Sequence, residues 1–379
     1  MHLDLAVPSH TAIRDWTLRL GCHALLRLLP KDEPWLWIMD HTGGIGPQKL
    51  FVIVGCPVSE IPFGNRSLSL ADLRLVALVP MEKSGESPVD AELEKAVART
   101  GAPRLIVSDR GTDLVGGIKL FQERHADTVA VSDIAHLGAN VLENRWERDP
   151  RWKEMLQRFA QANHRMRQTP DAFLLSPTPR NKSRFMNVGP LLRFAGRVLE
   201  LLNREKPDEK VVRRYGWLTE YADDLAGWRE QHELVEKAIR RVRLHGLNTE
   251  TLGELEKEWG PENSRPGTVM TRGYLRVYVN NNVKNARPGE TLAGSSEALE
   301  SAFGKLKSKM GEDGKGDLTG MALALGAILG RPDGEEIREA LDAVPQKKAA
   351  GIIERLFGAT LGCLRKKLFA EAKGETVPG

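Results

Sequence analysis

Two aspartates in this sequence follow short apolar runs of the kind that form buried strands. Asp40 ends the run 35–39 and Asp109 ends the run 104–108. An aspartate at a strand end is often only a turn former. Two of them on neighbouring strands would instead offer carboxylate oxygens at one edge of a sheet, which is a common arrangement for binding divalent cations.

A third carboxylate, Glu300, lies near the start of a segment with helical periodicity. In the stretch 294–307 the apolar residues Leu299, Phe303 and Leu306 recur at helical spacing, which predicts a helix that buries this face. Glu297 lies one turn earlier on the same face and competes with Glu300 for any role, although a first-turn acid is also favoured by the helix dipole alone. Two cations follow within two turns, Lys305 and Lys307.

Three carboxylates on two strand ends and one helix suit two-metal phosphoryl transfer. Attack on a phosphodiester creates negative charge on the entering and leaving oxygens, and two divalent cations about 4 Å apart can stabilise both. Hard oxygen ligands favour Mg²⁺ or Mn²⁺. We therefore expect Asp40 to bridge two ions, Asp109 to bind one of them and Glu300 the other.

The order of predicted elements explains how distant residues could meet. Strands are expected at 35–39, 49–55, 72–79, 104–108 and 127–132, and the helix 9–29, capped by Ser9, precedes them. Helices are expected from a cap at Ser87, near 113–124 and at 134–147. Three strands followed by alternating helices and strands match the α/β class and a ribonuclease-H-like mixed sheet, in which the first and fourth strands are neighbours.

After residue 147 the pattern is helical for more than a hundred residues. Helices are expected at 150–167, 188–204, 208–223 and 227–244, so a large all-helical insertion separates the fifth strand from the glutamate helix. Residues 151–200 hold ten Lys/Arg against three acids, a net charge of +7 in a chain of net charge +4. Such a concentration favours a polyanionic partner, and a solvated helix face is the alternative. The basic loop Arg180, Lys182 and Arg184 could contact a phosphate backbone.

Composition is that of an ordinary globular chain, with 41% hydrophobic and 28% charged residues. The three cysteines form no CxxC pair, and no apolar run approaches the roughly 20 residues of a membrane span. We expect a cytoplasmic protein with no membrane contact.

Several blocks of the sequence resemble those of bacterial insertion-sequence transposases of the DDE class. The blocks, which extend from about residue 33 to 335, are Asp40, Val107–Gly111, Asp133–His136, Arg184–Asn187 and Ser296–Lys307. Asp133 and His136 resemble the Asp/Cys-x-x-His signature that several DDE superfamilies carry after the second aspartate. The resemblance implies metal-dependent cleavage at transposon ends and strand transfer into target DNA, in a homodimer or higher oligomer near the bacterial nucleoid.

The corresponding domain prediction has five parts. Residues 1–32 form an N-terminal helical segment, a packing helix or the remnant of a helix-turn-helix. They are followed by the first part of the core at 33–147, the helical insertion at 148–290, the glutamate helix at 291–335 and C-terminal helices at 336–379. Two other functions stay open: a structure-specific nuclease with the same fold and metals, and a non-catalytic DNA-binding descendant of a transposase.

Overall fold

The computed structural model describes residues 7–45, 48–179, 184–261, 265–310, 321–358, 364–365 and 368–370. The chain divides into two compact units. The sheet unit comprises Met1–Val131 and Ser296–Gly379, and the helical unit comprises Ser132–Ser295. Among the described residues, no helix is both long and apolar enough to cross a bilayer.

The sheet unit contains a five-stranded mixed sheet, which confirms the predicted mixed α/β class. The strand order is β3-β2-β1-β4-β5, so the first and fourth strands are neighbours, as predicted. β1 pairs with β2 and β2 with β3 in antiparallel fashion, whereas β1 and β4 are parallel. The strands are β1 (Trp35–Ile45), β2 (Gln48–Pro57), β3 (Arg74–Met81), β4 (Leu105–Ser108) and β5 (Val129–Ser132).

One face of the sheet is covered by α2 (Glu86–Thr100) and α3 (Thr112–Gln122). Trp37 and Met39 of β1 point to this side and pack in one cluster with Leu93 and Phe121. Trp37 also donates a hydrogen bond from Nε1 to Thr100 Oγ1 at 3.1 Å. The predicted cap of α2 was wrong, because the helix begins one residue before Ser87 and Gly85 is its N-cap.

Helix α1 (His10–Leu26) packs inside the sheet unit. Ser9 caps it as predicted, accepting a hydrogen bond from Ala12 N at 3.2 Å. Arg19 donates from Nε to Val344 O at 2.8 Å, and a Cβ on Gly21 would lie 1.8 Å from Leu323 O. The later helices of this unit are α11 (Glu297–Met310), α12 (Ala324–Ile328), α13 (Gly334–Ala343) and α14 (Gln346–Phe357).

The described residues of the helical unit are mainly helical, with one isolated bridge between Leu247 and Leu292. Trp152 packs against Trp146 and Trp228 at ring-centroid distances of 4.6 and 4.9 Å. The helices are α4 (Ile134–Trp146), α5 (Pro150–Met166), α6 (Gly189–Leu202), α7 (Glu209–Tyr215), α8 (Ala222–His245), α9 (Thr251–Trp259) and α10 (Pro266–Val283). The predicted helix 208–223 is instead the short α7 followed by a 3-10 turn, and α9 and α10 were not predicted.

Candidate metal centre

The parallel pairing of β1 with β4 fixes where the two aspartates lie. Met39 is directly opposite Ser108, so Asp40 and Asp109 each follow one residue beyond that pair. The prediction that Asp40 ends its strand was wrong: β1 continues to Ile45, and Asp40 lies within it, paired with Val52, because β2 extends the sheet past the end of β4. Asp109 Oδ1 accepts a hydrogen bond from Gly111 N at 2.8 Å, which closes the turn into α3. Both aspartates are half-buried. The sequence argument that brought them to neighbouring positions, across 69 residues of chain, is therefore supported by the register.

Strand alternation places the Asp40 side chain on the face that α2 and α3 leave uncovered. Asp40 shares this face with Leu36 and Ile38, because successive side chains of a strand point to opposite sides. Helix α11, which carries Glu300, packs against β1 within the same unit. The elements predicted to carry the three carboxylates thus lie next to one another.

In α11 the glutamates occupy the first turn. Glu297 is exposed and Glu300 is half-buried, while Leu299, Phe303 and Leu306 are buried as predicted. Ser296 precedes the helix; its carbonyl accepts from Glu300 N at 3.1 Å and its hydroxyl lies 3.5 Å from Glu300 Oε1. A carboxylate in a first turn is favoured by the helix dipole whatever its function.

Asp133 and His136 open α4 in the helical unit. Asp133 is fully buried and is the N-cap of the helix, accepting a hydrogen bond from His136 N at 2.7 Å. The Nδ1 atom of His136 lies 3.1 Å from the same carboxylate oxygen. Tyr278 donates from its hydroxyl to Ser132 O at 2.8 Å, next to this start. Burial, with the charge of Asp133, raises the pKa of Tyr278 well above its usual value, so the phenol stays protonated.

Three of the predicted site residues carry side chains that can bind a metal ion. Asp133 and His136 offer a carboxylate and an imidazole at the start of α4 in the helical unit, and Glu300 offers a carboxylate on α11 in the sheet unit. The convergence of Asp40 and Asp109 with Glu300 stays a prediction.

A polar network that the sequence did not reveal lies on the other face of β1. His41 Nδ1 is 3.7 Å from Asp113 Oδ2, and the Ser84 hydroxyl donates to the same carboxylate oxygen. Burial lowers the pKa of His41, so the imidazole is neutral at pH 7. Burial alone would raise the pKa of Asp113, but the hydrogen bonds from Ser84 and Leu114 N, together with the charges of His41 and Lys49, outweigh it and the pKa is lowered. His41 and Asp113 are 72 residues apart, and only tertiary structure could join them.

The predicted DNA-contacting residues are only partly described. Arg180 and Lys182 lie outside the described residues, and for Arg184 only the backbone, in the 3-10 turn Arg184–Asn187, is described. Lys305 and Lys307 are exposed on α11.

Part of the +7 charge of residues 151–200 is neutralised within the helical unit. Arg151 pairs with Asp224 at 2.9 Å and Arg158 with Glu220 at 2.8 Å. These two arginines are therefore engaged by carboxylates and are weak candidates for phosphate contact.

Known proteins show a structural similarity to this chain but no sequence match. No protein-family model matches the sequence, and no curated protein matches it. Among solved structures, the fold is similar to the Drosophila P element transposase strand transfer complex, with a TM-score of 0.40 and 13% sequence identity over 88% of this chain and 87% of that chain. A TM-score of 0.40 is too low to carry an argument, so the functional conclusion has to rest on the residues described above.

Proposed function

We propose that this protein is a metal-dependent DNA transposase of the DDE class. The observation that supports this most directly is the pairing of Met39 with Ser108, since Asp40 within β1 and Asp109 just after β4 are the next residues along these two parallel strands. The helix that carries Glu300 packs against the first of these strands. Glu300 itself is half-buried in the first turn of that helix.

The donor set fits divalent cations. Asp40, Asp109 and Glu300 would supply hard carboxylate oxygens, which Mg²⁺ and Mn²⁺ prefer. His136 would add a nitrogen donor, which transition-metal ions accept more readily than Mg²⁺ does. When bound, two such ions would stabilise the charge that develops on the attacking and leaving oxygens of a phosphodiester.

The chain's own groups would orient the ligands and the DNA. Asp133 fixes the start of α4, and with it His136, through the cap hydrogen bond. Gly111 holds Asp109 by its backbone N–H, and a Cβ there would come within 3.0 Å of both Asp109 Oδ1 and Asp113 Oδ1. Lys305 and Lys307 would meet phosphates on the exposed side of α11, and Arg180, Lys182 and Arg184 would also contact phosphates.

The experiment is cleavage of the chain's own flanking DNA with Mg²⁺ or Mn²⁺. We expect nicked ends and, with target DNA present, covalently joined products. Asp109→Asn should abolish both while DNA affinity in EDTA is nearly unchanged, because the substitution removes a ligand and leaves the basic surface. Asp342→Asn, an exposed carboxylate on α13, is the matched control and should retain full activity.

Two outcomes would redirect the proposal. Cleavage of branched DNA with no joined product would identify the structure-specific nuclease instead. DNA binding with no metal-dependent cleavage of any substrate would identify a non-catalytic descendant. Undiminished cleavage by Asp109→Asn would remove the carboxylate mechanism altogether.

A further inference from the structure

Helix α10 and the residues that follow it form a basic segment of the helical unit. Residues 265–289 contain no aspartate or glutamate and five Lys/Arg. The 18-residue helix α10 occupies most of this segment. An acid-free stretch of this length is a favourable surface for a polyanion.

One side of α10 is apolar and exposed. Val269, Met270, Tyr274 and Val277 recur at helical spacing and are 38%, 49%, 52% and 57% exposed. We call these four residues, with Asn281 one turn further on, the outer stripe. Two of its members, Tyr274 and Val277, are more than half exposed, which is unusual for side chains of this kind in a helix that also has a buried side.

The opposite side of α10 is held firmly in the helical unit. Leu275 and Val279 are buried, and Tyr278 donates its hydrogen bond to Ser132 O. Arg272 and Arg276 both pair with Glu256 on α9. The outer stripe is therefore presented by a fixed helix, and these two arginines are already occupied.

Cations without a carboxylate partner flank the outer stripe. Arg145 Nη1 lies 2.9 Å from Met270 Sδ, and its Nε donates to the amide oxygen of Gln231 at 3.2 Å. Lys284, one turn beyond Asn281, contacts Asn281 Oδ1 at 3.5 Å. Neither cation has a carboxylate partner among the described residues. Glu230 accepts from Thr268 at the first turn of α10 and lies 3.7 Å from Arg265.

We propose that the outer stripe of α10 binds unpaired bases of single-stranded DNA, with Tyr274 as the stacking platform. An exposed aromatic ring among aliphatic side chains can stack on any base, because every base has a π-face. The amide of Asn281 can donate to and accept from base edges. Arg145 and Lys284 would meet the phosphates on either side.

The charge pattern favours single-stranded DNA over a protein as the partner of the outer stripe. The outer stripe is apolar, is bordered by cations and has no acid on its own helix. Single-stranded DNA has bases with apolar faces and an anionic backbone, so the two surfaces are complementary. The inference rests on the proposed function in taking DNA as the partner. It adds that the DNA is unpaired where it crosses α10.

The test is fluorescence anisotropy of labelled oligothymidine and of a blunt duplex, both in EDTA so that no cleavage occurs. Tyr274→Leu should weaken binding of oligothymidine by about fivefold to about a hundredfold, since stacking on one base contributes roughly that factor. Tyr274→Phe should bind as the wild type does. Binding of the duplex should change less than twofold in either variant.

Phe173→Leu is the matched control. Phe173 is also an exposed aromatic residue of the helical unit, with Lys210 Nζ 5.6 Å from its ring centroid. It should bind oligothymidine as the wild type does. Arg145→Gln and Lys284→Gln should each flatten the dependence of log affinity on log salt for oligothymidine by about 0.7.

Three results would overturn the inference. Unchanged oligothymidine affinity in Tyr274→Leu would do so, as would an equal loss for the duplex. A wild type that dimerises through this stripe, with Tyr274→Asp monomeric and its DNA affinity intact, would assign the stripe to a contact between copies of the chain. Because binding is measured without metal, failure of the stripe is separate from failure of the cleavage assay.

Discussion

Met39 of β1 and Ser108 of β4 are directly opposite each other in a parallel pair. Of the residues that follow them, Asp40 continues within β1, whereas Asp109 lies just past the end of β4. A shift of this register by one residue would turn one of the two side chains to the face covered by α2 and α3. The position of the candidate site thus depends on the packing that fixes these strands, and each prediction below tests one part of it.

The first prediction separates the two glutamates of α11. Glu300 is half-buried, whereas Glu297 is exposed. Glu300→Gln should lower metal-dependent cleavage by at least about a hundredfold, and Glu297→Gln should lower it by less than about threefold. Both substitutions remove one first-turn charge, so loss of the dipole interaction is the same in each. The reverse ranking of the two rates would transfer the role to Glu297.

The elements that the sequence predicted well are those whose signal is local. Five consecutive buried residues, Trp35–Met39, read as a strand buried on both faces, and Ser9 capped its helix as expected. Helix α10 was missed because Tyr274 and Val277 are exposed while Leu275 and Tyr278 are buried, so its apolar residues do not follow one face.

The parts of the site that escaped prediction depend on contacts between distant residues. His41 and Asp113 meet through the packing of α3 on β1, and neither has a local sequence signal for the other.

The second prediction concerns the basic loop of the helical unit. If Arg180, Lys182 and Arg184 contact phosphates, replacing all three by Ala should flatten the dependence of log affinity on log salt by up to about 3 for duplex DNA. The loss should be the same for all sequences, because phosphates carry no base identity. Lys257→Ala is the control, since Lys257 is exposed but pairs with Glu254 at 2.8 Å. Equal slopes of log affinity against log salt for the wild type and the triple variant would show that this loop is solvated and does not contact phosphates.

The third prediction tests the packing of α1 in the sheet unit. A Cβ on Gly21 would lie 1.8 Å from the backbone oxygen of Leu323, so Gly21→Ala should lower the free energy of unfolding by about 2 kcal/mol or more. Gly253→Ala is the counterpart in α9, where nothing lies within 4 Å of the added Cβ. That substitution should raise the free energy of unfolding by about 0.5–1 kcal/mol. Urea unfolding of both variants provides the measurement, and equal effects would contradict the close approach at Gly21.

The fourth prediction concerns Tyr278, whose hydroxyl donates to Ser132 O beside the start of α4. Tyr278→Phe removes this hydrogen bond and should lower the free energy of unfolding at pH 8 by about 1 kcal/mol. Burial raises the pKa of Tyr278 well above its usual value of 10.0, whereas the unfolded chain has the usual value. The stabilisation by the protonated phenol is therefore complete below pH 10 and is lost as pH rises beyond it.

The measurement is urea unfolding of the wild type and Tyr278→Phe from pH 8 to pH 11. The difference in their free energies of unfolding should shrink above pH 10, because only the wild type loses the contribution of Tyr278. Burial also raises the pKa of Tyr215, to about 12, but Tyr215 is present in both proteins and cancels in the difference. Tyr274→Phe, on the exposed side of the same helix, should unfold as the wild type does. If the difference in free energy of unfolding stays constant with pH, Tyr278 ionises alike in the folded and unfolded chains. That result would contradict a buried hydrogen bond from Tyr278 to Ser132.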